Sequence, residues 1–181
     1  IHPKSGDYVE KRIKPYIPLS LLTTSIFAEE EYSIKIIDMR IDSNWKTTLI
    51  KELKKSPICV GTTLKVGPYI KYGLEAAKIV KENSDSKLVV GGIHPSLMPE
   101  QTVKNNLIDF VVQGDGEITL LELTRSLENQ ANIEKTRGIW YKDGSRIRRT
   151  LPQRLIDFNK LPDIPYHLIK MSDYFNKKGR N

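Results

Sequence analysis

Short apolar runs alternate along this chain with longer stretches of helical period. The runs are Ser33 to Met39 with Ile34, Ile36 and Ile37, then Ile58-Cys59-Val60, Leu88-Val89-Val90, and Asp109 to Val112. Each is too short for a helix, rich in β-branched residues and bounded by Gly, Pro or Asp, which predicts buried strands. Between them, Leu19, Leu22, Ile26 and Phe27 mark one helical face to about Glu30, with Pro18 suited to the first turn. Trp45, Leu49 and Leu53 predict a second helix, and Ile70, Leu74 and Ala77 a third, running to about Lys81. Pro99 to Asn105 reads as a short helix, and Leu120, Leu121, Leu123 and Leu127 as the last strong one. Ile1-His2-Pro3 reads as the end of a strand whose beginning lies outside the chain, followed by a loop from Lys4 to Tyr16.

Strands alternating with helices predict parallel pairing, because parallel strands need crossover helices on the sheet faces. The expected fold is α/β: a flavodoxin-like, Rossmann-like three-layer α/β/α sandwich with a five-stranded parallel sheet in the order 2-1-3-4-5. The texture changes after Asn129. Gly138 to Tyr141 and Arg146 to Thr150 flank Asp143-Gly144, which predicts a β-hairpin. From Pro152 the chain carries Pro162 and Pro165 and reads as an extended linker. The expected division is an α/β domain over 1–130, a hairpin appendage over 131–151 and a linker over 152–181.

Composition narrows the class. The chain has 181 residues, 39% hydrophobic and 28% charged, which fits one globular domain with an appendage. No apolar run approaches the roughly 18 residues of a membrane span, and no signal peptide is visible, so no membrane association and a cytoplasmic location are expected. Cys59 is the single cysteine, which rules out an internal disulfide. The net charge of +7 is spread over helix faces, with small clusters at Lys11, Arg12 and Lys14 and at Arg146, Arg148 and Arg149. No nucleic-acid motif accompanies it, so no nucleic-acid partner is expected.

The candidate chemistry lies in the turns after the strands. In an open parallel sheet those turns gather on one edge, where ligands bind. They are Pro3 to Gly6, Thr62-Thr63-Leu64, Gly91-Gly92 with His94 and Pro95, and Gly114-Asp115-Gly116-Glu117. Glycine there lets a ligand approach bare backbone. The last turn lacks the third glycine of a dinucleotide fingerprint, the position being Thr119, and Asp115 and Glu117 put negative charge where a phosphate would lie. There is no P-loop, no nucleophile elbow and no zinc spacing among His2, His94 and His167, so no catalytic or metal-ligating residue is assigned. His94 either reaches a ligand or bonds the neighbouring backbone.

Val89-Val90-Gly91-Gly92-Ile93-His94-Pro95, then Pro99-Glu100, then Asp109 to Glu117, resembles the B12-binding domain at the front of cobalamin-dependent radical SAM proteins. Gly138-Ile139-Trp140-Tyr141-Lys142-Asp143-Gly144 is similar to a later family motif, and Leu161-Pro162-Asp163-Ile164-Pro165-Tyr166 to the linker that enters the radical SAM barrel. The resemblance runs from about Pro18 to Tyr174. It implies cobalamin held against the carboxyl edge of the sheet, with its nucleotide tail in a slot lined by Thr62-Thr63-Leu64 and Gly91-Gly92, and with Gly114 to Glu117 beside the corrin or the tail. Relatives include methyltransferases and anaerobic magnesium-protoporphyrin IX monomethyl ester cyclases. Some B12 enzymes carry DxHxxG, whose His is the lower cobalt ligand; the spacing from His2 to Gly6 departs from it, so no His-ligated state is expected. With one cysteine the radical SAM signature CxxxCxxC is absent, which implies SAM and a 4Fe–4S cluster only in a C-terminal part beyond Asn181. The implied role is a cobalamin-binding module, not catalytic by itself, with the radical SAM domain of the same chain as partner. A cofactor-free scaffold and a nucleotide- or flavin-binding flavodoxin-like domain are the alternatives.

Overall fold

The computed structural model describes residues 1–6 and 15–175. The basic cluster at Lys11, Arg12 and Lys14 lies outside them. Strands β1 (Cys59–Thr63), β2 (Lys87–Gly91), β3 (Phe110–Val112), β4 (Ile139–Asp143) and β5 (Arg146–Arg149) form one sheet in that order. β1, β2 and β3 are parallel, while β4 and β5 pair antiparallel. The helices are α1 (Leu19–Ser25), α2 (Trp45–Leu53), α3 (Pro68–Asn83), α4 (Ile93–Leu97), α5 (Pro99–Val103) and α6 (Glu117–Glu128).

The parallel succession extends past β1. Ile1 N donates to Gly61 O (2.5 Å) and Thr63 N to Ile1 O (3.4 Å), so Ile1 and His2 lie beside β1. His2 N in turn donates to Ile37 O (2.9 Å) and Met39 N to His2 O (3.0 Å), a parallel bridge between His2 and Asp38. Reading across, segment 37–39, then 1–2, β1, β2 and β3 follow the expected order 2-1-3-4-5. Within segment 33–39 the described pairing is this one bridge. The hairpin does not hang free: Val111 pairs with Trp140 and Val112 with Ile139, so it prolongs the sheet.

Register assigns the two faces. Side chains alternate along a strand, and Thr62 pairs with Val90, Thr63 with Gly91, and Val89 with Phe110. Val60, Leu64, Leu88, Val90 and Val111 point toward α2 and α3, where they pack with Trp45, Leu49, Leu53, Ala76, Ala77 and Val80 in the main core. Gly73 of α3 fits this contact because a Cβ there would lie 2.2 Å from Leu64 Cδ2. Val89, Phe110 and Val112 point the other way, toward α6, and pack with Leu123, Ile139 and Tyr141. On that side Cys59, Gly61, Thr63 and Gly91 are small, and there the packing opens.

Candidate functional site

A cleft of about 690 Å³ runs along the second face, between the sheet and a wall made by α1, segment 32–37 and α6, and reaches the end of α2 at Leu49, Glu52 and Leu53. Its floor is Cys59, Gly61 and Thr63 of β1 with Val89 and Gly91 of β2 and Val112 of β3; its mouth carries Gly92 and Gly114 to Glu117. The volume exists because of strand parity. A Cβ at Gly61 would meet nothing within 4 Å, and one at Gly91 only Val112 at 3.9 Å. Glycine inside a strand marks a bulge or a close approach by a ligand or another backbone. The size lies within the range of small-molecule and cofactor sites.

The mouth is built by backbone geometry. Gly92 turns at φ 102°, and a Cβ there would stand 2.6 Å from Thr63 Oγ1 and 2.7 Å from Leu64 O. The turns after β1 and β2 are therefore in direct contact, and Leu64 N donates to Gly91 O (2.7 Å). Gly114, also at positive φ, donates its N–H to Ser96 Oγ (3.0 Å). Gln113 joins three elements: its Nε2 donates to Ser96 O (3.2 Å), and its Oε1 accepts from Trp140 Nε1 (2.8 Å). Gly116 seats α6 on α1, since a Cβ there would come within 3.1 Å of Thr24 Cγ2.

Thr62, Thr63, Gly91, Gly92, Gly114, Asp115, Gly116 and Glu117 thus share one cleft. Leu64, His94 and Pro95 do not line it. Leu64 belongs to the opposite core. His94 lies in α4 rather than in a loop; its N–H donates to Leu64 O (3.2 Å) and its carbonyl accepts from Met98 N (2.9 Å). Pro95 is buried in the same short helix. Parity also separates the two threonines: Thr63 accompanies Gly91 toward the cleft, whereas the Thr62 side chain accompanies Val90 toward α3.

Two buried polar atoms have no hydrogen-bond partner among the described residues in this region: Thr62 Oγ1 and Glu117 Oε2. An unpaired buried acceptor is costly, and Glu117, at the start of α6 and on the cleft wall, can accept a bond from a hydroxyl or amide. Burial pushes the Cys59 thiol up, and its Sγ lies 3.7 Å from Thr124 Oγ1. Gly61 and Cys59 also line the cleft, although they lie inside a strand and not in a turn. They share with Thr63 the every-second-residue face of β1, which is visible in the sequence spacing.

Beside the cleft, the carboxyl edge holds a polar cluster. His2 is fully buried, its ring faced edge-on by Tyr16 and Tyr69. Its Nδ1 lies 3.0 Å from Pro3 O and so carries the proton. Burial, helped by the Arg40 charge, pushes its pKa down to about 4. Lys65 Nζ donates to Tyr16 Oη (2.6 Å), and Tyr16 Oη is 3.2 Å from Tyr69 Oη. Burial and the neighbouring Tyr16 raise the Tyr69 phenol to about 12. Among the described residues no group of three or more His, Cys, Asp or Glu could hold a metal ion, and no helix is long and apolar enough to cross a membrane.

Known proteins resemble this chain in sequence and in fold. An uncharacterized methyltransferase of Pyrococcus horikoshii is 33% identical over 162 residues, 87% of this chain and 35% of that protein. The anaerobic magnesium-protoporphyrin IX monomethyl ester cyclase of Synechocystis is 31% identical over 94 residues, 51% of this chain and 19% of its own length. The chain therefore spans about a third or less of these curated relatives. Among solved structures, the radical S-adenosylmethionine methyltransferase TsrM from Kitasatospora setae, with cobalamin and a 4Fe–4S cluster bound, superposes with a TM-score of 0.72 at 22% identity, covering 89% of this chain and 30% of that one. The cobalamin-dependent S-adenosylmethionine radical enzyme OxsB, with aqua-cobalamin and S-adenosylmethionine bound, gives a TM-score of 0.70 at 22% identity, covering 85% and 22%. These two share the fold. The family model described as B12 binding domain matches residues 13–124, more than half of the chain. With that match and the open face that its register creates, the chain belongs to the B12-binding domain family.

Proposed function

We propose that this chain is the cobalamin-binding module of a cobalamin-dependent radical SAM enzyme, and that the cleft receives the cofactor's nucleotide tail. The observation that carries this reading is the run of small residues on one sheet face, opening at the glycine turns of the carboxyl edge. Bound cobalamin would supply a cobalt centre that carries a methyl group or passes an electron in the intact enzyme. The chain's own residues have simpler tasks. Gly61 and Gly91 leave the space a planar ring needs. Thr63 offers a hydroxyl on the cleft side, and Glu117 an unpaired carboxylate oxygen. Gly92 and Gly114 bring bare backbone to the mouth. Exposed Val66, Ile93, Leu97 and Met98, beside the turns after β1 and β2, offer an apolar rim to a macrocycle.

His2 is fully buried and shielded by Tyr16 and Tyr69, which disfavours ligation of cobalt from the protein. The partner domain is a radical SAM domain in the same protein, a reading supported by the small share of its relatives that this chain spans. The test is a titration with hydroxocobalamin, desalting, and a visible absorption spectrum. The expected result is retained cobalamin with a spectrum lacking nitrogen ligation from below. Loss of all cobalamin from a folded chain would overturn the proposal in favour of a scaffold.

A further inference from the structure

The geometry points to a strap: residues 152–175 brace the outer wall of the cleft, and Tyr174 is the buried latch that closes it. The strap crosses the two wall helices in turn. Gln153 Nε2 donates to Thr119 Oγ1 and Glu122 Oε2 of α6, both at 3.3 Å. Pro165 is buried, and His167 Nε2 then meets Glu29 Oε2, just after α1, at 2.8 Å. Last, Tyr174 Oη donates to Asp38 Oδ2 at 3.0 Å. The residues next to the first two anchors, Ala28 and Leu120, line the cleft.

The anchors differ in kind. The His167 side chain is exposed, and an exposed pair of this type contributes little. Tyr174 and Asp38 are 8% and 4% exposed. Asp38 is also gripped by Arg40, whose Nη2 and Nε lie 2.6 and 2.9 Å from its two oxygens. Arg40 Nη2 continues to Tyr16 O at 2.9 Å, and its guanidinium stacks 4.5 Å from the Tyr16 ring centre. One buried carboxylate thereby ties together the strap, the segment leading into α1 and the edge of the sheet. Burial and the Asp38 charge both raise the Tyr174 phenol, so it stays a donor. A hydrogen bond to a buried charge is stronger than a neutral one, and its loss leaves the acceptor short.

The consequence for the cofactor rests on the cobalamin reading: with the latch closed, α1 and α6 hold the cleft shut around the tail and slow its departure. Tyr174→Phe removes the hydroxyl and keeps the ring. Amide hydrogen exchange of the cobalamin-free protein is expected to rise on the order of tenfold across 166–174, with α3 and β2 unchanged. Dissociation of hydroxocobalamin, followed by its absorbance after dilution into a scavenger protein, is expected to quicken by a similar factor. His167→Ala, which removes the exposed anchor, should change neither markedly. Unchanged exchange in Tyr174→Phe overturns the latch, and faster exchange with unchanged dissociation overturns its control of the cleft. If the unaltered protein holds no cobalamin, the cofactor reading fails, while the exchange data still decide the latch.

Discussion

The two faces of the central sheet are made by the same strands and behave differently. Toward α2 and α3, Leu88, Val90 and Val111 close against Ala76, Ala77 and Val80. Toward α1 and α6, the intervening positions are Cys59, Gly61, Thr63 and Gly91, and the packing leaves a cleft of about 690 Å³. One residue along a strand separates a side chain that stabilises the fold from one that makes room. Interiors are packed to crystal-like density, so a void of this size is a feature to explain. The comparison teaches that one face carries the stability of the domain and the other its binding capacity.

Filling the open face should give the largest effect. Gly61→Leu places a side chain where a Cβ meets nothing within 4 Å, so the protein is expected to fold normally. Cobalamin retention after desalting should fall at least a hundredfold; a folded variant that binds as before would remove the cleft from consideration. The mirror experiment, Leu88→Ala on the closed face, deletes a fully buried side chain. It should cost about 2–5 kcal/mol in denaturant unfolding while the folded fraction binds normally. Equal loss of binding and stability in both variants would erase the distinction between the faces.

Acid sharpens the comparison at the edge that joins them. His2 has its pKa depressed from 6.5 to about 4 by burial, with Arg40 acting in the same sense. The unfolded chain therefore binds a proton that the folded chain refuses between those values. The His2 contribution is fully present above about pH 6.5 and is lost as pH falls toward 4, amounting to about 3 kcal/mol over that window. Asp38, held below the usual carboxylate range against its burial by the hydrogen bonds from Arg40, adds a further loss at the acid end. Urea midpoints at pH 7.5, 6 and 4.5 should decline in order; a flat series would show that His2 is accessible to protons. The smallest effect is expected from Thr63→Val, which removes a cleft-side hydroxyl at nearly constant volume. Cobalamin affinity should weaken by several-fold, or about 1 kcal/mol. Thr62→Val, on the other face, should leave it unchanged.

Much of the fold was legible in residues 45–128. The stripes Trp45-Leu49-Leu53 and Ile70-Leu74-Ala77 appear as α2 and α3, and the three apolar runs as β1, β2 and β3, because period and length there agree with burial. Segment 33–39 was less legible. Its β-branched residues favour a strand, but strand structure needs a partner, and the partner supplies one bridge, between His2 and Asp38. The helical state of Ile93 to Leu97 was hidden behind Gly92 and Pro95, which read as loop residues.

The sequence by itself determined the family, the alternation of strands and helices, and the gathering of glycine turns at one edge, since these follow from local spacing and composition. Only the tertiary structure decided which threonine faces the cleft, that Gly61 belongs to it while Leu64, His94 and Pro95 do not, and that Tyr174 closes on Asp38. Face assignment depends on pairing register, and a bond between residues 136 positions apart depends on the path of the whole chain. Neither is encoded in any local window.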